Sequence, residues 1–130
     1  MAERPKDVRF TKTHEWVRIA GTTATVGITD YAVEHLGDLV FVDLPAKGKK
    51  LSKGATLAEV ESVKAVAEVY SPVSGEVAEA NAGLASDQSP LAKDPFASGW
   101  LVKVKVPAGT KLDDLMDAAA YQKQLDSEPH

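Results

Sequence analysis

A chain of 130 residues with 44% hydrophobic side chains has room for one domain with a modest core. Its 19 acidic and 15 basic groups leave a net charge of -4, which does not suit a nucleic-acid binder, and no apolar run is long enough to span a membrane as a helix. The absence of cysteine excludes disulfides, thiolate metal sites and thiol nucleophiles from the polypeptide, and 3 scattered histidines argue against structural zinc.

The opening MAERPKDVRF has neither an apolar h-region nor an Arg/Ser-rich amphipathic pattern, so no secretory or transit signal is expected. That suits a bacterial cytoplasm, or a mitochondrion for a mature eukaryotic chain. One domain is expected over 1–130, with 1–7 and 127–130 as loose tails. Val8 to Phe10 can begin a strand. Thr13 to Ile19 alternates, with Trp16 and Arg18 opposite Val17 and Ile19. Gly21-Thr22 reads as a turn and Thr23 to Ile28 as the second strand of a hairpin. Asp30 to Gly37 reads as a short helix, with Asp30 as N-cap and Gly37 as its stop. Leu39 to Leu44 is a nearly continuous apolar strand ended by Pro45. Lys47, Lys49, Lys50 and Lys53 crowd together, and a solvated turn explains them better than a docking patch for an acidic partner.

Beyond 75, Glu76 to Ala80 reads as a strand, Asn81 to Gly83 as a turn, and 86–97 as a turn or two of helix limited by its prolines. Trp100 to Val106 alternates as a half-buried strand. Residues 110–125 read as helix, with Leu112, Leu115, Met116 and Ala119 at helical spacing and Asp113 and Asp114 in its first turn. Short strands separated by Gly/Pro turns argue for a mainly β sandwich or barrel with the helix packed against it.

The centre of the chain is GATLAEVESVKAVAEVYSPVSG, Gly54 to Gly75. With Val63 and Lys64 as a two-residue turn, Ser62 faces Ala65, Val60 faces Ala67 and Ala58 faces Val69. One face is then small or apolar. The other pairs Glu61 with Val66, Glu59 with Glu68 and Leu57 with Tyr70, and is mixed and acidic. Lys64 sits at the tip, open to a visiting enzyme. Leu57, Val60, Lys64, Ala67 and Tyr70 also recur at helical spacing, and Val-Lys lacks the Asn-Gly chemistry of favoured tight turns. Local physics leaves hairpin and helix nearly even.

Glu61-Ser62-Val63-Lys64-Ala65, continued by Tyr70 to Val77, resembles the lipoylation segment of the glycine cleavage system H proteins. Thr13-His14-Glu15-Trp16-Val17, Val26 to Asp30, His35 to Asp38, Phe41 to Pro45 and Gly99-Trp100-Leu101 resemble that family in the same order, over roughly 8–125. The resemblance favours the hairpin and implies a flattened β-barrel or sandwich, the barrel-sandwich hybrid of lipoyl domains, with short helices and a C-terminal helix. It implies a non-catalytic carrier of glycine catabolism and one-carbon metabolism, with lipoic acid amide-linked to Lys64. The lipoyl disulfide would take the aminomethyl group from glycine decarboxylase (the P protein) and present it to the aminomethyltransferase (the T protein). The dithiol would be reoxidised by dihydrolipoyl dehydrogenase (the L protein).

A chain without cysteine has no thiol to attack that cargo by exchange. The loaded arm, prone to hydrolysis, needs a cleft that limits water and an acceptor for a cationic amine. Glu15 matches the family position that contacts the loaded arm; Thr13, His35 and Glu68 match further arm-cleft positions, with threonine at 13 where serine is commoner. No metal site is expected. Lipoate-attaching enzymes complete the set of expected partners, and serial brief encounters favour a monomer. The alternatives are an H-like lipoyl donor to other complexes, a biotin carrier (which prefers methionines flanking the lysine) and an unmodified β-rich interaction module.

Overall fold

The computed structural model describes residues 5, 7–110, 112 and 114–127. The chain is mainly β, as expected, and its strands form two sheets rather than one closed barrel. The six-stranded sheet contains β1 (Arg9–Phe10), β2 (Glu15–Ala20), β3 (Thr23–Ile28), β5 (Lys50–Leu51), β8 (Gly75–Ala80) and β9 (Val102–Lys105), in the order β1-β2-β3-β9-β8-β5. The three-stranded sheet contains β4 (Leu39–Asp43), β6 (Thr56–Ser62) and β7 (Val66–Tyr70), in the order β4-β6-β7. Among the described residues there are also three α-helices, α1 (Asp30–Leu36), α2 (Ser89–Lys93) and α3 (Ala118–Ser127), with a 3-10 turn at Ala82–Ala85.

Alternation sends one side of each ladder inward. Val17, Val26, Val60, Val69 and Val104 meet in a single apolar core that draws on both sheets. A second cluster, Val8, Phe10, Trp16, Tyr121 and Leu125, fills the other face of β2 under α3. Trp16 therefore lies opposite Val17, as expected, yet both are fully buried. Gly27 is the cross-strand partner of Trp16, and a Cβ there would lie 2.7 Å from the indole, so only glycine lets the ring settle on β3.

The central segment is a hairpin, not a helix. Val60 pairs with Ala67, Ala58 with Val69, Glu59 with Glu68 and Glu61 with Val66, while Ser62 N–H donates to Ala65 O at 2.8 Å. One expected pair fails. Tyr70 pairs with Thr56 instead of Leu57, because the register shifts before Ala58 and turns Leu57 into the core.

Other boundaries move for local reasons. Thr29, not Asp30, caps α1: its backbone is extended and its hydroxyl accepts the Ala32 N–H, leaving Asp30 in the first turn. Within the lysine-rich turn, Lys50 and Leu51 form a short strand paired with Glu76 and Gly75, which buries Leu51. In the segment expected as helix from 110, helix begins only at Ala118. Phe10 and Met116 exchange backbone hydrogen bonds of 2.8 and 2.9 Å, and Asp117 Oδ1 accepts the Ala120 N–H at 2.9 Å as the cap of α3. Leu112 and Leu115 still pack on the core, but as an irregular strap. Lys111 and Asp113 lie outside the described residues, as do 1–4, 6 and 128–130. Of the stretches expected to be loose, Asp7 pairs with Arg18 at 2.7 Å and Ser127 ends α3.

Candidate functional site

Lys64 stands exposed at the tip of the β6–β7 hairpin. Val-Lys is a poor turn sequence, and neighbouring groups compensate. The buried Ser62 hydroxyl accepts the Ala65 N–H at 3.1 Å and lies 3.4 Å from the Lys64 N–H, and Val63 N–H donates to Asp38 O at 3.0 Å. The tip is thus tied to the loop after α1. Gly37 ends α1 with φ +77°, and a Cβ there would lie 3.9 Å from Lys64 Cε. The lysine stem therefore crosses the end of α1, where His35 is exposed and its ring sits 4.3 Å from that of Tyr31.

Glu15 is no exposed strand glutamate; it is 1% exposed. Its Oε1 accepts the hydroxyls of Thr11 at 2.6 Å and Thr13 at 2.5 Å, and its Oε2 accepts the Tyr70 N–H at 3.3 Å. Burial raises its carboxyl above the ordinary value, and the donors from Thr11, Thr13 and Tyr70 oppose that rise. Glu68, exposed on β7, accepts the Tyr70 phenol at 2.9 Å, and that bond raises the phenol's pKa.

Glu15, Thr13 and Tyr70 share a cleft of about 290 Å³. Phe10, Leu115 and Met116 wall it, and Lys53 and Asp114, which form an ion pair, stand at its mouth. Such a space suits a mainly apolar guest carrying one cationic end, with a carboxylate waiting among fixed donors. The structure thus brings Glu15 and Thr13 together and links Glu68 to them through Tyr70. Lys64 and His35 lie at the far end of the hairpin. Tyr70 is six residues from Lys64 on a strand rising about 3.3 Å per residue, a span of roughly 20 Å.

Thr11 and Tyr70 were not legible as site residues. Thr11 reaches Glu15 through the turn over 11–14, which the uniformly polar run Thr11-Lys12-Thr13-His14-Glu15 does not signal. Tyr70 offers its backbone N–H, and no sequence pattern marks that. Among the described residues no group of three or more His, Asp or Glu side chains forms a potential metal site, and no helix is long and apolar enough to cross a membrane.

Residues 8–128 match the glycine cleavage H-protein family. A glycine cleavage system H protein from Parvibaculum lavamentivorans is 50% identical over 121 residues, covering 93% of this chain and 97% of that protein. Another from Beijerinckia indica subsp. indica is 53% identical over 117 residues, covering 90% and 94%. The crystal structure of a glycine cleavage system H protein from Mycobacterium marinum is similar with a TM-score of 0.85 at 40% identity, covering 95% of this chain and 99% of that one. The exposed lysine hairpin, the two-sheet fold and relatives at about half identity over nearly the full length agree: this chain belongs to the glycine cleavage H-protein family.

Proposed function

We propose that this chain is the lipoyl-carrying shuttle of glycine cleavage, with Lys64 as the attachment residue. The observation that carries this is the exposed Lys64 amine, fixed on a braced hairpin whose other end borders a cleft that holds a buried carboxylate. The residues fit the group. The amine is open to acylation in its neutral form, and the cleft offers apolar walls to a ring of carbon and sulfur.

When bound, lipoic acid supplies a disulfide that accepts the aminomethyl group of glycine and releases it to a second enzyme. The chain's own residues do the rest. Lys64 would hold the group, and Glu68, four residues along β7 and roughly 13 Å away, would be the first cleft-side residue on the way to Tyr70. Glu15 receives the cationic amine in a charge-assisted hydrogen bond, and Thr11 and Thr13 fix the carboxylate's orientation. Glu68 adds negative charge at the rim, and His35 flanks the stem of Lys64. The surrounding apolar side chains limit water. The chain catalyses no step itself. Its partners are the P, T and L proteins and the lipoate-attaching enzymes, each meeting the tip in turn.

Intact mass after co-expression with lipoylating enzymes and lipoate tests this reading. The expected result is one lipoyl group per chain, absent in Lys64→Arg, and transfer activity with purified P and T proteins only for the modified form. An arginine variant that still gains the group would place attachment elsewhere.

A further inference from the structure

Just before Glu15 the backbone takes a step that side chains bearing a Cβ disfavour. His14 has φ +73°, in the left-handed region, and is the one non-glycine residue with positive φ among those described. Such a conformation persists where its surroundings hold it. Here they do so from three directions. His14 N–H donates to Thr11 O at 3.2 Å, His14 O accepts the Thr29 N–H at 3.0 Å, and His14 Nδ1 lies 2.8 Å from the Tyr121 hydroxyl. That hydroxyl also lies 2.7 Å from Thr29 Oγ1.

Tyr121 and Thr29 are both fully buried. Tyr121 belongs to α3 and stacks on Phe10, a wall of the cleft, at 4.6 Å; Thr29 caps α1. One phenol therefore ties the entrance of β2 to two helices. The effect on Glu15 is direct. In extended chain, side chains two residues apart are separated by nearly 7 Å along the strand. The bend at His14 instead brings the hydroxyls of Thr11 and Thr13 onto one oxygen of Glu15. Glycine would relieve the strain at 14 but would bring no ring to Tyr121.

We propose that His14 is a positioning residue whose left-handed turn, locked by Tyr121 and Thr29, aims the Glu15 carboxylate into the cleft and holds it ready for a cationic amine. The proposal rests on the reading that Glu15 receives the amine of the loaded arm. Its alignment is independent of any bound group, so it can be measured on the unmodified protein.

The test follows the Glu15 carboxyl by carbon-13 NMR titration, together with formaldehyde and ammonia release from the loaded lipoyl protein. The groups facing that carboxyl are the Thr11 and Thr13 hydroxyls and the Tyr70 N–H, with Lys12, Lys53 and Asp114 lining the same cleft. His14→Ala and Tyr121→Phe should move the titration further above the ordinary glutamate range, because the Thr11 and Thr13 hydroxyls that oppose the effect of burial are no longer held on the carboxylate. They should also shorten the loaded lifetime roughly tenfold, equivalent to about 1.4 kcal/mol. His14→Asn tolerates the left-handed region and places a polar atom where Nδ1 sits, so it should restore both readings to within about twofold of wild type. Leu125→Ala, a packing change elsewhere on α3, should lower stability and leave the titration in place.

An unmoved titration in both His14→Ala and Tyr121→Phe, or a shift matched by Leu125→Ala, would overturn the positioning role. If Glu15→Ala keeps the wild-type lifetime, the amine-binding role of Glu15 fails instead. The titration shift in Tyr121→Phe would then still report the positioning.

Discussion

At Glu15 the raised carboxyl pKa has a definite sign for stability. The folded state holds this proton more tightly than the unfolded chain, whose ordinary value is 4.5. The favourable contribution is complete below that pH and disappears as pH rises through the folded-state pKa. Glu15→Gln should therefore gain stability relative to wild type as pH rises from 4.5 through the folded-state pKa, because it has no buried acid to ionise. Urea unfolding at three pH values checks this, and parallel curves for the two proteins would refute it. Asp7 has the opposite sign. The hydrogen bond from Arg18 lowers its pKa, so its contribution is present above 3.8 and fades as pH falls. At this scale the exposed place of Lys64 at a hairpin tip was legible once the family resemblance favoured the hairpin, and Glu15 was singled out by that resemblance alone. The burial of Glu15 was not legible. It depends on Tyr70 and Met116, which arrive from distant parts of the chain.

The β6–β7 hairpin presents its lysine because other elements brace the tip. Ser62 is the central brace, since its hydroxyl meets the Ala65 N–H and Ala65 O while it lies almost out of solvent. Ser62→Ala should cost about 1 kcal/mol of local order and speed amide exchange at Ala65 roughly fivefold, with the sheet unchanged. Exchange measured by NMR decides it; protection at Ala65 equal to wild type would remove Ser62 from this role. The hairpin's register was readable because period-two alternation survives in Ala58, Val60, Val69 and Ala67. It misled only at Leu57, where the shift in register restores an apolar residue to the core. Leu112, Leu115 and Met116 misled more. Their helical spacing serves equally well to dock an irregular strap, and the backbone bonds between Phe10 and Met116 favour the strap. The two-residue β5 carries too little pattern to be read before its partner is known.

Across the whole molecule, two apolar clusters share the β2 strand, and Trp16 is the largest fully buried side chain. Its seat requires a bare backbone at Gly27, so Gly27→Ala should destabilise the protein by about 1–3 kcal/mol through overpacking. Tryptophan fluorescence during urea unfolding measures this, and a midpoint equal to wild type would mean that the indole has room to move. The mainly β class was legible from the many short alternating runs, whereas the division into two sheets depends on long-range pairing such as β3 with β9. That division also has a temporal side. The hairpin and its sheet partner come from a continuous quarter of the chain, β4 to β7, whereas the cleft is not enclosed until residues near Met116 meet Phe10. During synthesis on the ribosome the residues of the handle therefore emerge first and those of the shelter's last wall much later, so under the proposed role the amine would leave the ribosome before the cleft that serves it could close.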